Sequence, residues 1–137
     1  MKKILLLIDN NENELEFFIE ALHEIDFPYN CICARNAEVA LNLLRYTVPD
    51  FIFLDFNIPQ MNGLRCLKEI KKLKIQESVP VILYSNEMSE EVTKNAMALG
   101  AMFCIKKPGK VTTFATILQR IFSTCIDLKV FLAPSKN

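Results

Sequence analysis

A chain of 137 residues suits one domain, because a single core of this size buries enough apolar surface to fold alone. Apolar residues make up 51% and charged residues 23%, which excludes a disordered chain. Sixteen acids balance sixteen bases and no run of Lys and Arg occurs, so the electrostatic footprint of a DNA or RNA binder is missing.

Met1-Lys2-Lys3 and the apolar run Ile4 to Ile8 open like a secretory signal, but Asp9 interrupts the run before an apolar h-region forms. No other stretch approaches the roughly 18 apolar residues of a membrane helix, and the expected location is the cytoplasm. Lys3 to Ile8 reads instead as a first strand, and Leu15, Phe18, Ile19 and Leu22 place an apolar stripe on a first helix. Asn30 to Ala34 is a second strand, followed by Asn36 as N-cap of a helix whose stripe is Ala37, Ala40, Leu41 and Leu44. Phe51 to Leu54 forms a third strand, and Asn62-Gly63 turns the chain into a short helix carrying Leu64, Leu67 and Ile70. Pro80 to Tyr84 is a fourth strand. Ser89 caps a helix with the weaker stripe Val92, Ala96 and Leu99, and Gly100 stops it. Ala101 to Lys106 is a fifth strand, and Phe114, Ile117, Leu118, Ile121 and Phe122 mark a strong fifth helix.

Residues 1–125 thus read as one domain and 126–137 as a C-terminal extension. Ile126, Leu128, Val130 and Leu132 alternate like a strand yet also continue the fifth helix, and both readings stay open. The segment is too apolar for a bare tail, so it packs on its own domain, on a partner or on a second copy in a homodimer. Ala133 to Asn137 is expected to fray. The cysteines Cys31, Cys33, Cys66, Cys104 and Cys125 are odd in number and scattered, which predicts buried free thiols and no disulfide framework. Cys31-x-Cys33 with no second pair and a single His does not build a zinc site.

Strands 1, 3 and 4 are nearly continuous apolar runs, as in a parallel sheet covered on both faces by helices. Alternating strands and helices with right-handed crossovers give an α/β, doubly wound, five-stranded parallel sheet. Its order, 2-1-3-4-5, is taken by analogy with the common flavodoxin-like arrangement. In such sheets the ligand crevice lies beyond the carboxyl ends of the strands. Asp9, Asn10 and Glu12 follow strand 1, Asp55 and Asn57 follow strand 3, Ser85 follows strand 4 and Lys107 follows strand 5. Two carboxylates a few ångströms apart repel by about 4 kcal/mol at an effective dielectric near 20, so Asp9 and Asp55 call for a cation or a raised pKa. Mg²⁺, which takes a few carboxylate and carbonyl oxygens and completes its shell with water and a phosphate oxygen, resolves the conflict. Asp55 can then act as a carboxylate nucleophile toward phosphorus, with Lys107 and the metal offsetting charge and Ser85 donating a hydrogen bond. Pro108 biases Lys107 to an extended backbone.

Leu6-Leu7-Ile8-Asp9, Phe53-Leu54-Asp55-Phe56-Asn57-Ile58-Pro59 with Met61-Asn62-Gly63, Val81-Ile82-Leu83-Tyr84-Ser85, and Gly100-Ala101 followed by Lys107-Pro108 together resemble the CheY-like receiver domain of two-component response regulators. The resemblance runs from about Lys2 to Phe122. It implies Asp55 as phosphoacceptor, Asp9, Asp55 and the Asn57 backbone carbonyl at a Mg²⁺ site, Ser85 as switch hydroxyl and Lys107 as phosphate-binding lysine. It also implies a cis bond between Lys107 and Pro108, and lifetime-tuning positions at Asn57 and Glu87. Asn10 departs from the pattern by replacing the second acid after strand 1, which removes a negative charge and weakens the metal site. Glu12 is the candidate compensation, with a solvent-facing position as its alternative. Cys104 stands where the family mostly has an aromatic that swings inward with the switch hydroxyl, and Asn62 replaces an acid before Gly63.

The expected function is a stand-alone receiver, phosphorylated by a sensor histidine kinase or phosphotransfer protein, that is no enzyme beyond assisting its own phosphoryl chemistry. It would speak to an unidentified downstream protein through the surface of helix 4, strand 5 and helix 5. The alternative is a degenerate receiver that binds a protein without phosphorylation. A flavin carrier is disfavoured because Asp9-Asn10-Asn11-Glu12 would repel the phosphate that Gly, Ser or Thr should cradle. A phosphohydrolase is disfavoured because Asn57 stands where an acid should handle the leaving group.

Overall fold

The computed structural model describes residues 2–26, 28–74 and 77–132, with 126–132 described by backbone alone. The elements alternate as β1 (Lys3–Ile8), α1 (Glu12–His23), β2 (Tyr29–Ala34), α2 (Ala37–Leu44), β3 (Phe51–Asp55), α3 (Gly63–Lys72), β4 (Val81–Ser85), α4 (Glu90–Ala98), β5 (Phe103–Lys106) and α5 (Val111–Leu132). The strands form one sheet in the order β2-β1-β3-β4-β5, with every neighbouring pair parallel. This is the architecture the sequence indicated.

Period-two alternation sorts the apolar residues of each strand onto two faces. Leu5, Leu7, Phe51, Phe53, Ile82 and Tyr84 meet Leu15, Phe18 and Leu22 of α1 and Phe114, Leu118 and Phe122 of α5. Leu6, Ile8, Ile52, Leu54, Val81 and Leu83 meet Ala40 and Leu44 of α2, Cys66, Leu67 and Ile70 of α3, and Ala96 of α4. Edge-to-face contacts of Phe18 with Phe53 and Phe114, at 4.9 and 5.0 Å between ring centroids, lock α1 onto the first face.

Side-chain caps fix where the helices begin. Asn11, Asn36, Asn62 and Ser89 each accept backbone N–H groups of the first turn, so the expected caps at Asn36 and Ser89 are in place. Gly100, at φ 104°, ends α4 in a Schellman arrangement: its N–H donates to Met97 O, and the Ala101 N–H donates to Ala96 O at 2.9 Å. Ala101 therefore belongs to the helix exit, which is why β5 begins at Phe103 and not at Ala101. The segment 126–132, left open between strand and helix, continues α5 as helix. The expected fraying of Ala133 to Asn137 lies outside the described residues. Among the described residues no helix is long and apolar enough to cross a membrane.

The loop after β3 is set by close approach at Gly63. Its N–H donates to Phe56 O at 2.7 Å, and a Cβ there would stand 2.7 Å from Phe56 Cα and 3.0 Å from Asp55 O. Backbone on two sides leaves nothing that can yield. Gly63→Ala is expected to destabilise the fold by about 1–3 kcal/mol through overpacking. Urea unfolding would show a lower midpoint at unchanged slope, and an unshifted midpoint would count against the tight packing.

Candidate functional site

β1, β3 and β5 all end at one rim of the sheet, and the strand alternation decides what points where. Asp9 continues the Leu5, Leu7 side, and Asp55 continues the Phe51, Phe53 side, so both carboxylates fall on the face covered by α1 and α5. Both residues are buried. Asp9 Oδ1 accepts the Asn11 N–H at 2.9 Å, and its Oδ2 accepts the Tyr84 hydroxyl at 2.8 Å. Asp55 Oδ1 accepts the Asn57 N–H at 3.1 Å, an Asx turn that starts the loop after β3.

Lys107 closes the group. Its N–H donates to Ser85 O at 2.8 Å, extending the β4–β5 pairing by one residue, and its side chain is 10% exposed. An ammonium so far from water requires partners. It has three: Glu14 Oε2 at 2.5 Å, Asp55 Oδ1 at 3.2 Å and Asp9 Oδ2 at 3.6 Å. The Nζ also stands 4.6 Å from the centre of the Tyr84 ring. The cis bond expected before Pro108 is absent, since no cis peptide occurs among the described residues. The sheet hydrogen bond to Ser85 O places the lysine with the trans bond that X-Pro linkages ordinarily prefer.

The other residues singled out from sequence are placed as follows. Ser85, the last residue of β4, is buried on the opposite side of the sheet from Asp55; its Oγ accepts the Glu87 N–H at 3.4 Å and lies 3.5 Å from Asn57 Nδ2. Asn57 is exposed beside it, and Asn10 faces solvent. Glu12 is exposed too and is ion-paired with Arg35, so it does not join the cluster. Cys104 is half-buried and packs against the face covered by α2, α3 and α4, where burial raises its thiol pKa. No disulfide joins the five cysteines; Cys66 and Cys125 are buried, Cys31 and Cys104 half-buried, and Cys33 exposed, so the expectation of buried thiols holds for part of the set.

Two participants escaped the sequence reading. Glu14 stands three residues after the Asn11 cap, at the capping-box spacing where a Glu normally bonds the cap N–H. Asp9 already holds that N–H. Glu14 turns to Lys107 instead, and its second oxygen accepts Asn86 Nδ2 at 3.2 Å. Tyr84 was read only as a strand residue, but its buried phenol is pushed well above its ordinary 10.0 by desolvation and then by the charge and hydrogen bond of Asp9.

Oxygens of Asp9, Glu14 and Asp55 lie within 4.8 Å of one another. Opposite ligands of an octahedral Mg²⁺ are about 4.2 Å apart, given Mg–O distances of about 2.0–2.1 Å. The 4.8 Å bound is slightly wider than that, so an ion would draw these hard oxygen donors together; three carboxylates beside one ammonium are a donor set that could hold a small divalent cation.

The response regulator receiver domain family model matches residues 5–119, and the chain belongs to that family. Protein-glutamate methylesterase/protein-glutamine glutaminase 3 of Rhodospirillum rubrum is 36% identical over 123 residues, 88% of this chain and 32% of that protein. The regulatory protein AtoC of Escherichia coli is 28% identical over 116 residues, 85% of this chain and 24% of that one. The chain therefore spans a third or less of the length of these relatives. Among solved structures, the phosphorylated cyanobacterial phytochrome response regulator RcpA matches with a TM-score of 0.82 at 24% identity, covering 92% of this chain and 95% of that one. The Mn²⁺-bound response regulator Rcp1 matches with a TM-score of 0.76 at 22% identity, covering 88% and 92%. At such identities the structural likeness is one of fold.

The Tyr84 hydroxyl offers a measurement on this network. Tyr84→Phe keeps the ring and leaves Asp9 Oδ2 short of a buried donor, which is expected to cost about 1–3 kcal/mol of stability at neutral pH. Because the folded phenol is held above 10.0, its stabilisation is complete below that pH and is lost as pH climbs toward the folded value. Denaturant midpoints of wild type and Tyr84→Phe should thus converge at alkaline pH. A gap that persists unchanged there would contradict the bond to Asp9.

Proposed function

Because the chain is a receiver of the response regulator family, we propose that it accepts a phosphoryl group on Asp55 from a sensor histidine kinase or phosphotransfer protein and signals through protein contacts. The observation that carries this reading is the Lys107 ammonium held 3.2 Å from the Asp55 carboxylate, in a buried pocket that also contains Asp9. Asp55 Oδ1 is occupied by Lys107 and the Asn57 N–H, while Oδ2 has no hydrogen-bond partner among the described residues. Oδ2 is the oxygen available to form the bond to phosphorus. As it forms, the N–P bond of the donor's phosphohistidine breaks and the imidazole leaves with a proton. Asp9, Asp55 and the Asn57 carbonyl would hold Mg²⁺, which when bound offsets charge on the transferring oxygens. Lys107 would do the same from the β5 side, and Ser85, at the end of β4 beside Asn57, would donate its hydroxyl to the incoming group.

Access supports the reading. A cleft of about 450 Å³ opens next to the site, lined by Phe56, Asn57, Ser85, Asn86, Glu87, Ser89 and Val92. Asn57 and Glu87, both exposed and lining this cleft, would affect how readily water reaches a phosphoryl group on Asp55. Downstream, the proposed output surface is that of α4, β5 and α5. Ser85 adjoins it on both sides, through its carbonyl bond to Lys107 and through the short loop to the α4 cap at Ser89. A preference of a few kcal/mol for the phosphorylated arrangement is enough to shift the population that a partner binds.

Intact-mass measurement after incubation with Mg²⁺ and a small acyl phosphate is the direct test. Wild type should gain one phosphoryl group, and both Asp55→Ala and chelation of the metal should abolish the gain. An unmodified wild type would leave the alternative, a phosphorylation-independent binding module.

A further inference from the structure

We propose that Glu14 is the third carboxylate of the divalent-cation site and takes over, from the first turn of α1, the charge that Asn10 leaves out at the end of β1. The inference rests on the receiver reading for the existence of the cation site, but it concerns how this chain builds it.

The local geometry explains why Glu14 and not a nearer residue does this. After β1 the chain offers Asn10, Asn11, Glu12, Asn13 and Glu14. Asn10 faces solvent, Asn11 caps α1 through bonds from the Asn13 and Glu14 N–H groups, and Glu12 is held outside by Arg35. The rotation of α1 is fixed by Leu15 and Phe18, both buried, which leaves Glu14 half-buried at the rim of the sheet. A Glu at this step of a helix usually folds back on the cap N–H. Asp9 has taken that donor with Oδ1, so the Glu14 carboxylate is free to reach inward, where it meets Lys107 at 2.5 Å and comes within 4.8 Å of Asp9 and Asp55 oxygens. The same Asp9 that belongs to the site thus also directs Glu14 toward it.

Charge supports the assignment. Three carboxylates, one ammonium and one divalent cation sum to zero, whereas Asp9 and Asp55 alone with the same two cations would leave a net positive pocket. A neutral set is the better balanced one in a buried site.

The test uses Mg²⁺ alone, with no phosphoryl donor, titrated into the full chain and followed by the backbone amide resonances of Asp9, Asp55 and Asn57. Glu14→Gln should weaken Mg²⁺ binding by about tenfold or more, the low end of what losing even an outer-shell partner costs. Glu12→Gln, as a control on the same turn, should stay within about twofold, because an exposed, screened charge contributes little. Restoring the acid at its alternative position, in the double variant Asn10→Asp with Glu14→Gln, should recover most of the lost affinity. Glu14→Gln with unchanged or tighter binding would overturn the inference. So would a double variant that stays weak, since Glu14 would then act only by holding Lys107. A chain that binds Mg²⁺ through Glu14 but gains no phosphoryl group would sink the proposed function and leave this assignment standing.

Discussion

The site depends on a buried ammonium ion that no single neighbour could hold. Lys107 is brought to the sheet rim by backbone pairing with Ser85, and once there it is nearly cut off from water. Its charge is matched by acids from three separate segments: the end of β1, the end of β3 and the first turn of α1. The dependence runs both ways, because Asp9, Asp55 and Glu14 would repel one another without a cation among them. Removing one member of a buried ion group typically costs about 3–5 kcal/mol, since the remaining charges stay desolvated. The same crowding makes the pocket responsive. A small divalent cation would relieve the excess negative charge, and on the proposed function a phosphoryl group would then meet two cationic groups instead of one.

Rigid elements set these positions. The carboxylates sit at the ends of buried parallel strands whose Phe51 and Phe53 are clamped by rings of α1 and α5. Strand parity divides the residues around Asp55: Asp9, Asp55 and Tyr84 belong to the α1 and α5 face, while Ser85 belongs to the other. On the proposed function, a group attached to Asp55 at the rim would lie between the two faces and could couple charge on one side of the sheet to backbone on the other. Tyr84 contributes by filling the space under Lys107 with its ring and by fixing Asp9 through its hydroxyl.

Most of this was legible in the sequence because strand ends are legible. Asp9, Asp55, Ser85 and Lys107 each terminate an apolar run, and in a doubly wound sheet such residues share one edge. Glu14 was hidden for a physical reason. The direction of a first-turn side chain depends on which group satisfies the cap N–H, and only the fold reveals that Asp9, from outside the helix, does so. Glu12 was the acid the sequence offered as compensation for Asn10, yet it is exposed and paired with Arg35. The Lys107–Pro108 bond illustrates the reverse error: a cis form was carried over from resemblance, whereas local pairing to Ser85 O suffices to orient the lysine.

On the proposed function, Cys104 is where this chain would differ in how it transmits a signal. A receiver that relies on an aromatic at that position moves a large ring between exposed and buried places. A half-buried thiol sweeps little area, and burial keeps it protonated and uncharged, so it cannot carry much of the difference between two states. What remains coupled to Ser85 is backbone: the carbonyl that binds Lys107, and the loop of Asn86, Glu87 and Met88 that ends at the α4 cap. Asn86 is itself bonded to Glu14, which ties this loop to α1 and to the cation cluster. Asp55, Lys107, Glu14 and Asn86 form a continuous set of ion pairs and hydrogen bonds to the loop before α4, so on the proposed function a change in charge at Asp55 could reach the start of α4 without any side chain of β5 rotating.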